Sequence, residues 1–127
     1  MAFPKDYRYT REHEWIKVDG NQATIGITDY AQNSLGDIVF VELPKVGDEV
    51  TSGKTFGSVE SVKAVSDLIS PLSGRVVEVN QKVVDAPETV NEDPYGEGWL
   101  IRIELTDSAE VDELLDAEAY RKLIAEQ

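Results

Sequence analysis

The most specific chemistry this chain offers rests on one lysine. Lys63 sits within Gly57-Ser58-Val59-Glu60-Ser61-Val62-Lys63-Ala64-Val65-Ser66-Asp67, a run of small and β-branched residues with carboxylates at Glu60 and Asp67. A primary amine among small neighbours is open to acylation, which abolishes its charge. Lys63 is thus a candidate attachment point for a carried group, with a solvated cation as the ordinary alternative, and local pattern alone leaves both open. Other chemistries are poorly supplied. There is no cysteine, which removes structural disulfides, cysteine nucleophiles and thiolate metal sites. His13 is the only histidine, so a metal cluster or histidine-based triad is hard to build, and His13 is given no chemical role. Redox chemistry would need sulfur from a cofactor. Paired carboxylates could serve a small enzyme, but nothing in the sequence outlines its pocket or substrate.

Local pattern leaves the element that displays Lys63 open. Val62, Val65, Leu68 and Ile69 fall at helical spacing, which predicts an amphipathic helix over 61–69 with Lys63 on its wet face. The valines, serines and isoleucine of this stretch are mediocre helix formers. The strand alternative places a tight turn near Val62-Lys63, which lacks the usual Gly, Asn or Asp. Such a turn makes sense if its tip exists to present the lysine to a modifying enzyme.

Elsewhere the pattern is mostly β. Tyr7-Arg8-Tyr9 suits a short edge strand. Glu14 to Asp19 and Gln22 to Ile27 alternate around Asp19-Gly20-Asn21, a hairpin signal. Thr28 is placed to cap a two-turn helix carrying Asp29, Ala31 and Leu35, stopped by Gly36. Ile38 to Leu43, closed by Pro44, reads as a buried strand. Short strands are expected from Glu49 to Val79. Asn80 to Gly98 reads mostly as loop, with a helical turn near Asp85. Trp99, Ile101, Ile103 and Leu105 alternate with Leu100, Arg102 and Glu104 as a clear strand. A helix is expected after Asp107 or Ser108, and Asp116 caps a last one carrying Tyr120, Leu123 and Ile124.

At 127 residues the chain suits a single domain, 1–127, with a core over about 7–106 and an acidic helical tail over about 107–127. The net charge of −13 argues against nucleic-acid binding, which needs clustered Lys and Arg. It suits both solubility and docking on basic partner surfaces. No apolar run approaches the ~20 residues of a membrane span. With no apolar signal core or Arg/Ser-rich lead at Met1 to Asp6, a soluble cytoplasmic protein is expected.

Several blocks carry a resemblance. Glu60-Ser61-Val62-Lys63-Ala64 and Ser70-Pro71-Leu72-Ser73-Gly74 resemble the lipoylation segment of the glycine cleavage system H proteins. So do Ile25-Gly26-Ile27-Thr28-Asp29-Tyr30-Ala31, Leu35-Gly36-Asp37-Ile38-Val39-Phe40-Val41-Glu42-Leu43-Pro44 and Tyr95-Gly96-Glu97-Gly98-Trp99. The likeness runs from about Tyr7 onward. It implies a mainly β fold, a lipoyl/biotinyl-type barrel-sandwich hybrid with short peripheral helices and a helical C-terminal tail. It implies lipoate attached to Lys63 as N6-lipoyllysine. It implies a carrier, not a catalyst, that serves a pyridoxal-phosphate glycine decarboxylase (P protein), a tetrahydrofolate-dependent aminomethyltransferase (T protein) and a dihydrolipoyl dehydrogenase (L protein). A lipoate-attaching enzyme is the fourth partner, with Glu60 and Asp67 as recognition residues. The family is also expected to fold its loaded arm into a cleft where Glu14 lies. Two relatives in purpose remain: a lipoyl donor to 2-oxoacid dehydrogenases, using the same lysine, and a biotin carrier, whose lysine usually lies between methionines and not between residues like Val62 and Ala64.

Overall fold

The computed structural model describes residues 3–126. The expected N-terminal hairpin is present: β1 (Arg8–Tyr9) pairs with β2 (Glu14–Asp19), which turns through Gly20, at φ +64°, onto β3 (Gln22–Ile27). Helix α1 (Asp29–Leu35) begins where Thr28 Oγ1 accepts the Ala31 amide and ends at Gly36, φ +80°. Then follow β4 (Ile38–Glu42), β5 (Glu49–Val50), β6 (Thr55–Ser61), β7 (Val65–Ile69) and β8 (Gly74–Val79). Helices α2 (Gln81–Asp85) and α3 (Glu88–Glu92) precede β9 (Ile101–Leu105), and α4 (Ala117–Ala125) closes the chain.

The strands form two antiparallel sheets, β1-β2-β3-β9-β8-β5 and β4-β6-β7. Between them lies one apolar cluster built on Ile27, Ile38, Val41, Val59, Leu68 and Leu100. A second, on Ile16, Ile25, Leu72, Val76, Ile101 and Ile103, is built largely on the larger sheet; Leu43 and Phe56 touch both. Side chains on the inner faces alternate with polar ones outward, as two packed sheets require. This is the mainly β fold with short peripheral helices that the resemblance implies.

Three segments depart from expectation. Ile38–Glu42 is not buried throughout: Val39 and Phe40 are each about half exposed (51% and 50%). A register shift between Ile38 and Phe40 is the cause, since one extra residue sends two consecutive side chains outward before Val41 returns to the core. The segment 80–98 is more ordered than a loop. Asn80 Oδ1 accepts the Lys82 amide to start α2, and Val83 and Val90 plug the first cluster. The tail opens with a 3₁₀ turn (Ser108–Glu113) capped by Asp107, where an α-helix is expected. The tail does cover the sheet: Val111 and Leu114 pack on the second cluster, and the Glu110 carboxylate accepts the Ser73 amide and hydroxyl at 2.7 and 3.0 Å. Strand β9 also begins two residues later than the alternation predicts, with Leu100 buried.

Helix α4 packs on the other side of β1 and β2. Tyr120 and Ala117 join Phe3, Tyr9 and Trp15 in an aromatic cluster. Tyr120 stacks on Tyr9, with ring centroids 4.9 Å apart. Gly26 lies opposite Trp15, and a Cβ there would meet the indole at 2.6 Å, so only glycine admits this packing.

Candidate functional site

Lys63 stands at the exposed tip of the β6–β7 hairpin, so the helical reading of 61–69 does not hold. The turn works without Gly, Asn or Asp because Ser61 supplies its chemistry. The Ser61 hydroxyl accepts both the Lys63 and Ala64 amides at 3.1 Å, and Ala64 O accepts the Ser61 amide at 2.8 Å. Serine hydroxyls mimic a backbone turn in this way. Val62 and Lys63 both keep negative φ. The Val62 amide donates to Asp37 O at 3.0 Å, so all three tip amides are held.

That anchor is itself anchored. Asn91 on α3 donates to Gly36 O and to Gln32 Oε1, both at 2.9 Å, and its Oδ1 accepts the Ile38 amide at 2.8 Å. The α1–β4 corner is thereby fixed, and the hairpin tip with it. The Lys63 stem runs over Gly36: its Cε lies 3.4 Å from where a Gly36 Cβ would sit. Nothing in the sequence pattern singles out Asn91 or Ser61; the only trace is the missing turn residue, which demands a substitute.

Glu60 and Asp67 are exposed on the outer face of the smaller sheet, Glu60 opposite Val65 and Asp67 opposite Ser58. The structure places both beside the lysine hairpin and neither in a cleft.

Glu14 lies apart from these, near the far end of β7. It does not face water: it is 2% exposed. Its Oε2 accepts the Ile69 amide at 2.8 Å, and its Oε1 accepts the Thr10 hydroxyl at 3.3 Å. Burial pushes its carboxyl up to about 8, against the opposing pull of the Ile69 hydrogen bond. The free residue is thus mostly protonated at neutral pH. It lines a cleft of about 240 Å³ with Tyr9, Glu12, Ser70, Pro71 and Leu114. Glu110 and Glu113 add further acids against a single Arg11, so the cleft favours a cationic guest.

The backbone that delivers Glu14 is unusual. His13, φ +69°, is the one non-glycine residue in the left-handed region among those described. Its Nδ1 lies 2.8 Å from the Tyr120 hydroxyl, which lies 2.8 Å from Thr28 Oγ1. One order of donors satisfies every partner: Ala31 amide to Thr28, Thr28 hydroxyl to Tyr120, Tyr120 hydroxyl to His13. Burial lowers the His13 pKa, in keeping with a neutral acceptor ring. His13 therefore ties the Glu14 loop to α4 and to the α1 cap.

An amine displayed on a rigid hairpin, with an acidic cleft near the far end of β7, is an arrangement that suits a carrier. Among the described residues no group of three or more His, Asp or Glu could hold a metal ion. Comparison with known proteins gives the particular family. The family model described as glycine cleavage H-protein matches residues 7–127. The glycine cleavage system H protein of Carboxydothermus hydrogenoformans is 64% identical over 124 residues, covering 98% of this chain and 95% of the relative. That of Acidobacterium capsulatum is 61% identical over 127 residues, covering 100% and 98%. The crystal structure of the Mycobacterium marinum glycine cleavage system H protein superposes with a TM-score of 0.90 at 46% identity, covering 97% of this chain and 99% of that one. The chain belongs to the glycine cleavage H-protein family.

Proposed function

We propose that Lys63 is the residue to which lipoate is attached, and that the chain carries the aminomethyl group of glycine between the enzymes of the glycine cleavage system. The placement of Lys63 carries the reading: an exposed amine on a tip whose backbone is fully tied down. The residues around it fit such a group. Val62 and Ala64 leave the amine open, Gly36 leaves room for the stem, and among the described residues Lys63 makes no ion pair. The lipoyl group, when bound, supplies a dithiol that opens and recloses, which this cysteine-free chain lacks. The partners are then glycine decarboxylase, aminomethyltransferase, dihydrolipoyl dehydrogenase and a lipoate-attaching enzyme, in the cytoplasm. Residues 1–127 act as one carrier unit, with Glu60 and Asp67 read by the attaching enzyme.

In this reading Glu14 is the cleft's cation holder. Strand β7 runs from the lysine tip toward the cleft; Lys63 and Ile69 are six residues apart, at most about 20 Å in extended chain, the same order as the ~14 Å reach of a lipoyl-lysine. An ammonium entering the cleft favours the charged form of Glu14, whose proton passes to water, and the ammonium then donates a charge-assisted hydrogen bond to the carboxylate. Burial of the site keeps water from that guest.

Two outcomes test this. Protein from lipoate-replete cells is expected to gain the mass of one lipoyl group, mapped by peptide analysis to Lys63, while Lys63→Arg stays folded and unmodified. A group found on another lysine, or biotin, overturns the assignment. For Glu14→Ala, we expect normal lipoylation and loading, with faster loss of ammonia and formaldehyde from the isolated loaded carrier. Equal release rates would show that Glu14 does not guard the cleft.

A further inference from the structure

Among the described residues, six large apolar side chains are strongly exposed, and four of them lie on β4, on β7 and at the β6–β7 tip. Val39 and Phe40 project from β4, Val62 from the tip and Val65 from β7, at 50–67% exposure. Strand register puts Phe40, Glu60 and Val65 in one row across the smaller sheet. The Val62 amide on Asp37 O holds the tip against the start of β4. Scattered exposed apolar residues are ordinary; a contiguous group is a mark of contact.

The surrounding charge has one sign. Asp37, Glu42, Glu60 and Asp67 are all exposed around the apolar group, and Glu42 and Asp67 sit in the next row, on either side of Ser58. Strands β4, β6 and β7 carry no lysine or arginine, so Lys63 is the one cation of the hairpin segment 55–69. The face is complementary to an apolar hollow rimmed by basic side chains.

Reach decides which partner sits there. The Lys63 amine extends only about 6 Å from its own Cα, from standard bond lengths. An enzyme that forms a bond at that nitrogen must press against Val62, Val65 and Phe40. Enzymes that act at the end of an arm of order 14 Å need not. We infer that this apolar, acid-rimmed face is the docking surface for the enzyme that acylates Lys63, which presents a basic-rimmed apolar socket. The inference rests on the reading of Lys63 as the attachment site. In the step it serves, the neutral Lys63 amine attacks an activated acyl carbonyl, such as an acyl phosphate anhydride or a thioester. The C–N bond forms, the bond to the activating group breaks with its electron pair, and the amine proton passes to a base.

The test uses the full chain with Phe40→Ser and Val65→Ser combined. Both sites are exposed, so the fold is expected to survive, as circular dichroism and thermal unfolding will show. We expect kcat/KM for acylation, with the unmodified protein varied, to fall roughly 10- to 100-fold through KM. After forced acylation, reduction of the variant by dihydrolipoyl dehydrogenase is expected to stay within about twofold of wild type. Equal acylation efficiency overturns the inference, and so does an equal fall with the dehydrogenase, which would make the face a general docking surface. Wild-type protein that is not acylated on Lys63 overturns the attachment reading itself, and is told apart by peptide mapping of that control.

Discussion

Glu14 shows how much one burial changes a residue's chemistry. A carboxyl at the start of a strand is readily taken for a solvated anion, yet here the protein accepts it as an acid. The sign of the consequence follows from proton counting. Because the folded value lies near 8 and the ordinary value near 4.5, the folded state holds more protons than the unfolded state between them. Stability from this group is therefore complete below about 4.5 and is lost as pH rises through about 8. We predict that the stability of wild type relative to Glu14→Gln falls by a few kcal/mol between those limits, with a slope of up to about 1.4 kcal/mol for each pH unit. Glutamine can accept the Ile69 amide and donate to Thr10, so it preserves the contacts while removing the titration. Denaturant unfolding of both proteins across that range measures the difference; a constant gap would mean that Glu14 does not titrate abnormally. His13 acts in the opposite sense, its lowered value costing stability as pH falls below 6.5, and the paired comparison cancels it.

At the level of elements, the tip of the β6–β7 hairpin depends on one hydroxyl. Ser61→Ala is predicted to leave the Lys63 and Ala64 amides without their acceptor, costing about 1–2 kcal/mol if they find water imperfectly. Amide exchange at Lys63 and Ala64 is expected to accelerate, and exchange in β9 is not; unchanged tip protection would show that Ser61 is dispensable. The same element marks the boundary of what pattern can reveal. The β2–β3 hairpin, the Thr28 cap and the Gly36 stop are legible because each rests on a local rule carried by a few neighbouring residues. The hairpin around Lys63 is readable only through resemblance, since its valines satisfy helical spacing as well as strand pairing. The exposure of Phe40 is hidden by a bulge, a property of pairing between strands. Val83 and Val90, two turns apart, signal α2 and α3 faintly, but Pro87 and two glycines obscure them. Resemblance names Glu14 as a cleft residue, while its protonation comes from burial, and the Ile69 amide that opposes it lies 55 positions away. His13 and Tyr120 meet across 107 positions, which no window of sequence can register.

For the molecule as a whole, the net charge of −13 is a long-range property with a kinetic signature. We predict that the apparent KM of glycine decarboxylase for this carrier rises as salt exceeds ~0.15 M, where the Debye length is about 8 Å. A flat salt dependence would leave solubility as the sole role of the acid excess. The same molecule also carries a hazard that its charge alone does not remove. Strand β7 is an outer strand of its sheet, and such an edge invites another chain to add itself as a further strand. The Glu14 carboxyl occupies the Ile69 amide at one end of that edge, and Asp67 sets an exposed acid in its middle. A side chain buried for the sake of a cleft thus also takes a hydrogen bond that an intruding strand would need, so the residue proposed to hold the cargo also guards one end of the sheet's edge.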